Sequence, residues 1–487
     1  MTTERSGLAA GRRSGRPPLT LFDATNLVVG AVVGADIYIV TGQGAQLLGP
    51  AVLVAWVAAG AMALAIALAF GQCALAVPRT GGSYAYARAA FGPFPAFVVG
   101  WCFYVGELVG AAVFPIAFTR YLADLIPGLV GTWEMLARAA FVAFITVSNY
   151  VGVRAAGTVN DVLTMAKLLP LAALVLLGIP WAFAHPTLAV DRVSPFVPLG
   201  WGGFGAALTL VFWAYAGFEV APLPAGEIRR PGQTLPLALW WGMLVSTALY
   251  LLVNAVALVV LPWTELARSP TPLVAVAGAL FRDLGLPGRA AATFMVVGAM
   301  LSIGGVDEAI TIGTPSLAYR LATDGYLPRL LARRSRRFGT PSAAIFLQGA
   351  ATLALSFLSS LVGLISLSVF YLGLVYLATA LASWRLGSAR PLRPLAVPLP
   401  ALVAPVAVAS SLALIAASVP EAGVGAALGL AAGLPFYLLA ARSPSLHRLE
   451  EPPVHEEERW REIRRVSRHF LAGLLRHLAR PSRPASP

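Results

Sequence analysis

The stretch VVGAVVGADIYIVTGQG, residues 28–44, decides the fold. It is apolar enough for a membrane-spanning helix, yet Gly30, Gly34 and Gly42 interrupt it and Asp36 follows the middle glycine. A second stretch, LVFWAYAGFEVAPLPAGE at 210–227, repeats the design with Gly217, then Glu219, then Pro222 and Pro224. Both read as apolar helices broken near their middle. Gly30 and Gly34 have the G-x-x-x-G spacing that serves close helix packing, but packing alone does not explain an acid beside each break. At such breaks, freed N–H groups can hold an anion and freed carbonyls a cation.

The surrounding composition sets the solvent. Of 487 residues, 58% are hydrophobic and only 12% charged, with mean hydropathy +0.77. Soluble proteins carry about 25% charged residues. Runs of about 20 apolar residues tile the chain, and they are apolar on all sides, which predicts membrane-spanning helices rather than barrel strands. Twelve spans are predicted near 20–42, 49–77, 92–119, 132–152, 159–183, 203–225, 236–262, 289–319, 341–358, 361–383, 397–418 and 422–441. The two broken stretches are the first and sixth, five spans apart, so they run in opposite directions. Paired interruptions in two inverted halves point to the binding site of a secondary transporter.

The net charge of +13 does not indicate nucleic acid, because the arginines gather in the tails and in alternate short loops. One side holds Arg12, Arg13 and Arg16, then Arg79 and Arg88, Arg154, and Arg229 and Arg230. It continues with the Arg329–Arg337 cluster, Arg385, Arg390 and Arg393, and the C-terminal tail. The positive-inside rule then places both termini in the cytoplasm. The N-terminal tail, 1–18, has no apolar core of a signal peptide. The linker 264–288 is too short to span and reads as an external amphipathic helix. The tail 443–487 interleaves apolar and arginine residues from Trp460 onward and reads as a helix on the cytoplasmic leaflet. Cys73 and Cys102 lie in apolar runs and imply no disulfide framework, and no histidine–cysteine cluster has metal-ligand spacing.

Lys167 is the only lysine; the other 34 of the 35 basic residues are arginines. It sits inside VLTMAKLLPLAALVLLGI, residues 162–179. Arginine keeps its proton in any protein setting, whereas a desolvated lysine can release one. A site that retains lysine in a chain of arginines is a candidate for proton exchange. A lysine snorkelling to a helix end is the plainer alternative.

Four stretches carry a family resemblance: VGAVVGADIYIVTG (29–42), VPRTGGSYAYA (77–87), FWAYAGFEVAPLPAGEIRRPGQTLP (212–236) and GTPSLAYRLATDGYLP (313–328). With NDVLTMAK (160–167), they resemble the amino acid–polyamine–organocation (APC) superfamily of permeases, most closely its cationic amino acid transporter branch. The resemblance implies an all-α LeuT-like fold: two inverted five-helix repeats over 19–390, with spans 11 and 12 added over 391–442. It implies a substrate site between broken spans 1 and 6, comprising Gly34, Ala35, Asp36, Ile37 and Tyr38 with Trp213, Ala214, Tyr215, Ala216, Gly217, Phe218 and Glu219. Gly34 and Ala35 match the positions that receive a substrate carboxylate. Ala214 to Gly217 match those that receive the amino group and side chain. Lys167 matches a lysine that takes the place of a sodium ion and couples transport to protons. Two departures stand out: Asp36 where glycine is usual, and Ser316 where arginine is usual, with Arg320 one turn later.

Asp36 at the break would repel a carboxylate and attract an amine; at ~4 Å the attraction is several kcal/mol at intermediate dielectric. That reading favours a polyamine, another organic amine or a cationic amino acid. Pairing of Asp36 with Lys167 is an equal alternative, and a neutral, protonated Asp36 a third. Glu107 in the third span lines the cavity or pairs with Arg120. Asp307 and Glu308 point ~100° apart, so only one of them can reach the Lys167 region, where Asp307 would join Lys167 and Asp36 in proton coupling. Trp213, Tyr215 and Phe218 could stack on a cation, though packing is the commoner role. No phosphate-binding loop, cofactor motif, metal cluster or internal histidine base points to an enzyme. The expectation is a cell-membrane permease for an amino acid or organic amine, coupled to protons or working by exchange, with a ligand sensor and a channel as other classes. The implied partners are that small molecule, protons and the bilayer.

Overall fold

The computed structural model describes residues 20–77, 81–152, 157–220, 228, 231–389 and 400–441. The N-terminal tail, the basic C-terminal tail and the arginines at 79, 154, 229, 230, 390 and 393 lie outside them. The structure is 85% helix, with no strand among the described residues. In chain order the α-helices are α1 (Leu21–Val32), α2 (Asp36–Leu48), α3 (Val52–Ala76), α4 (Gly82–Phe91), α5 (Pro93–Ala111) and α6 (Val113–Leu125). They continue with α7 (Thr132–Val151), α8 (Gly157–Ala184), α9 (Pro186–Arg192), α10 (Phe204–Trp213), α11 (Pro231–Val260) and α12 (Trp263–Arg268). The last five are α13 (Pro272–Asp283), α14 (Gly288–Thr323), α15 (Ser342–Leu358), α16 (Leu361–Ala389) and α17 (Val403–Ala441).

Among the described residues, seven helical runs are long and apolar enough to cross a membrane: Asp36–Ala76, Pro93–Leu125, Lys167–Ala184, Gln233–Val260, Gly288–Thr323, Leu361–Gly387 and Val403–Ala440. The helices Leu21–Val32, Phe204–Trp213 and Ser342–Leu358 are apolar but shorter. The difference from twelve predicted stretches has visible causes. The first break leaves α1 too short to qualify and joins α2 to the run Asp36–Ala76, the sixth stretch keeps only the short helix Phe204–Trp213 among the described residues, and Thr132–Val151 is not among the qualifying runs. The last two stretches form two helices joined across a kink at Gly423, with φ of 48° and ψ of −134°, and together make up α17. Phe144, Leu176, Phe183, Leu358 and Leu428 stand exposed on the outside, as lipid-facing side chains do. The chain is therefore a multi-pass, all-helical membrane protein.

Three packing relations position the site. Helix α11 runs against both α1 and α3. Helix α8 lies between α11 and α14, where Gly178 faces Val256 and Gly298 faces Pro170 closely enough that neither glycine has room for a Cβ. Helix α10 packs on α2 and α3. The linker after α11 forms α12 and α13; α13 buries Leu273, Val276, Ala277 and Leu280 and exposes Arg282 and Asp283, an amphipathic helix as the sequence predicts. Two of the sequence stretches that carry the family resemblance meet in space. Tyr84 on α4 donates a hydrogen bond to Asp324 Oδ2 at 2.7 Å, and the guanidinium groups of Arg88 and Arg320 lie 3.9 and 3.7 Å from the same oxygen. Burial and the Asp324 carboxylate push the Tyr84 phenol above the usual tyrosine range.

Candidate functional site

The helix that begins at Leu21 stops at Val32, and α2 restarts at Asp36, leaving Val33–Ala35 outside regular helix. Four later helices converge on this break. Lys167 Nζ donates to the Gly30 carbonyl at 2.7 Å, and the Tyr38 hydroxyl donates to the Lys167 carbonyl at 3.2 Å. Tyr121 on α6 donates to the Tyr38 carbonyl at 2.7 Å, and Tyr250 on α11 donates to the Val32 carbonyl at 2.8 Å. Val306 on α14 presses on Gly34, where an added Cβ would meet its Cγ2 at 2.8 Å. The Asp36 carboxylate folds back over the same glycine; its Oδ2 would lie 3.1 Å from that Cβ. An acid in the first turn of α2 also complements the positive end of the helix.

The second break is built from Ala214–Gly217, between α10 and the 3₁₀ turn Phe218–Val220. Gly217 has φ of +116°, which L side chains rarely adopt. A Cβ there would fall inside the Ala31 carbonyl oxygen, so the two breaks touch backbone to backbone. The Gly217 N–H donates to Glu219 Oε2 at 2.9 Å. The acid that follows each glycine in sequence thus serves its own break: Glu219 caps a freed N–H, and Asp36 covers Gly34.

Lys167 and Asp36 interact electrostatically, but no ion pair within 4.0 Å joins them; the ammonium is committed to the Gly30 carbonyl. Asp36 is 6% exposed. Glu107 on α5 lies within electrostatic reach of Glu219 and of Asp36. Its alternative partner, Arg120, forms no ion pair with it. Asp307 is not brought to Lys167. It is buried with Oδ1 unpartnered, its charged neighbour is Glu308, and Glu308 accepts from Ser148 Oγ at 2.9 Å. The divergence of adjacent helical side chains holds, but neither acid supplies a charge to the lysine.

The aromatic residues of the sixth-span stretch are packed. Trp213 stacks on Phe114 at 5.6 Å. Tyr215 lies between Trp56 and Tyr250 and donates to the Trp56 carbonyl at 3.0 Å. Phe218 sits 5.8 Å from Phe70 and 5.4 Å from Tyr376. Ile37 and Ala214 are fully buried. Two residues escaped the sequence reading. The Tyr376 hydroxyl is buried without a hydrogen-bond partner and lies within reach of the Glu219 and Glu107 charges. The Tyr250 hydroxyl reaches the Ala214 carbonyl at 2.8 Å as well as Val32, and so touches both breaks. The signal was a tyrosine inside the apolar run STALYLLVN (246–254), because a buried phenol needs a polar partner.

Residues 19–431 match the Amino acid permease family. The branched-chain amino acid permease BcaP of Bacillus subtilis (strain 168) is 26% identical over 386 residues, covering 74% of this chain and 80% of BcaP. The serine/threonine exchanger SteT of the same organism is 27% identical over 450 residues, 90% of this chain and 98% of SteT. Cationic amino acid transporter 4 of Mus musculus is 28% identical over 393 residues, 77% of this chain and 60% of the mouse protein. The chain belongs to the amino acid permease family of the APC superfamily, whose members are transporters rather than enzymes.

Proposed function

We propose that this permease is a secondary active transporter that carries an amino acid or related organic amine across the cytoplasmic membrane by alternating access. The reading takes the chain as twelve spans in two inverted five-helix repeats plus two, with both termini cytoplasmic. Substrate binds at the two breaks, and Lys167 with Asp36 couples the cycle to protons or sets the conditions for exchange. Asp307, buried with Oδ1 unpartnered on α14, is a further candidate for proton coupling.

The observation that carries the proposal is the 2.7 Å hydrogen bond from the Lys167 ammonium to the Gly30 carbonyl. A charged donor binds a carbonyl more strongly than a neutral one. Protonation of Lys167 therefore tightens the hold of α8 on the first break, and deprotonation loosens it. Substrate bound at the same break biases the same equilibrium, which is the condition for coupling two ligands.

A second reading, transport of a polyamine or another organic cation, is favoured by one feature. Glu107 lies within electrostatic reach of both Asp36 and Glu219, and the only lysine is already engaged. A substrate with a second positive centre would complement that set. Thermal unfolding of the purified protein against a panel of amino acids and amines divides the two, since a binder raises apparent stability by mass action. Stabilisation by neutral amino acids supports the first reading, and stabilisation by diamines or polyamines alone supports the second. Proteoliposomes that bind a stabilising compound yet show no flux of it would contradict transport altogether.

A further inference from the structure

The carbonyls of Val32 and Ala214 are among those the two breaks set free. Val32 closes α1, and Ala214 follows the last residue of α10. In unbroken helices each would accept from the N–H four residues on. Both accept instead from one hydroxyl, that of Tyr250, at 2.8 Å each. The phenol is held in place by its ring. Tyr250 is fully buried, with Trp56 at 5.0 Å and Tyr215 at 5.2 Å between ring centroids. The Gly30 carbonyl, two residues before Val32, is taken by Lys167. These three freed carbonyls are thus occupied by donors from the protein itself.

A hydroxyl has one proton to give, and here it serves two acceptors. An ammonium has three. A primary amine arriving between the breaks would satisfy both carbonyls more fully than the tyrosine does, and the phenol oxygen could accept its third hydrogen. Resting on the amino acid transport reading above, we propose that Tyr250 is a positioning residue whose hydroxyl stands in for the substrate's amino group at both breaks of the empty carrier. It keeps the two unwound segments paired when no substrate is present, and so allows the empty protein to change sides. Substrate must displace it to bind.

The test is Tyr250→Phe, which removes the hydroxyl and keeps the ring packed. The probes are radiolabelled L-leucine, L-serine and L-arginine in proteoliposomes of the full chain. Without its competitor, the substrate should bind about threefold to tenfold more tightly, the range one net hydrogen bond spans. Exchange of internal for external substrate should persist, because the loaded carrier does not need the hydroxyl. Net uptake into empty vesicles should fall at least about tenfold, because the empty carrier has lost its placeholder. A merely structural tyrosine would weaken binding and reduce both fluxes together, and that result, or unchanged binding and flux, overturns the proposal. If the variant does not fold, 3-fluorotyrosine placed at position 250 keeps the hydroxyl. Its fluorine resonance must then move on saturation with a transported probe, and an unmoved resonance overturns the proposal equally. Wild-type vesicles that neither accumulate nor exchange any probe contradict the transport reading itself, a failure visible before any variant is compared.

Discussion

Replacing Gly217 by alanine measures how tightly the two breaks are joined. Two costs add. A non-glycine residue at φ of +116° lies in a sparsely populated region and costs about 1–3 kcal/mol. The new Cβ would also overlap the Ala31 carbonyl oxygen and lie 2.9 Å from its carbon. These are backbone atoms, which cannot rotate aside as a side chain can. Relieving such an overlap costs about 1–3 kcal/mol more. The total, about 2–6 kcal/mol, is a large fraction of the ~5–15 kcal/mol that holds a typical protein folded. Gly304→Ala is the matched control: it lies in the helix interior of α14, and an added Cβ there meets no atom within 4 Å. Thermal unfolding in detergent, read beside uptake, should show Gly217→Ala melting several degrees lower with transport lost, and Gly304→Ala close to wild type. Equal melting and equal uptake for the two variants would mean that the breaks do not meet as described.

Other outcomes follow from single contacts. Asp36→Gly removes the carboxylate that covers Gly34 and should shift preference toward zwitterionic amino acids in competition uptake assays; unchanged selectivity removes Asp36 from recognition. Tyr84→Phe deletes the 2.7 Å hydrogen bond to Asp324 and should lower stability by about 1.5–3 kcal/mol, the range for a bond to a charged acceptor. Because burial and Asp324 push the Tyr84 phenol up, that loss should be the same in melts at pH 6 and pH 9. A penalty that appears at only one of those values would show the bond to be made by something other than a neutral phenol.

Much of this was written in particular residues. Gly34 and Gly217, each followed by an acid, mark the breaks that the backbone makes at Val33–Ala35 and Ala214–Gly217. A lone lysine in a chain of arginines reaches the first break. The stretches around Tyr84 and Asp324 meet across 240 residues. Tyr250 was hidden for a physical reason: its acceptors lie 218 and 36 residues away, and helical periodicity gives a side chain's face on its own helix, not the neighbour across it. The same limit applies to Asp307. Its offset from Glu308 could be read, but not that its Oδ1 would be buried without a hydrogen-bond partner. The last two stretches, read as separate, correspond to two helices that meet at the non-helical Gly423 within α17.

The most direct measurement is pH-gradient-driven uptake by Lys167→Ala in proteoliposomes, run beside exchange at equal pH. With the ammonium gone, the Gly30 carbonyl loses its donor and the protein its means of sensing protons at the break. Accumulation driven by the gradient should vanish while some exchange survives. Accumulation that continues to follow the imposed pH difference in this variant would show that the coupling proton is carried elsewhere.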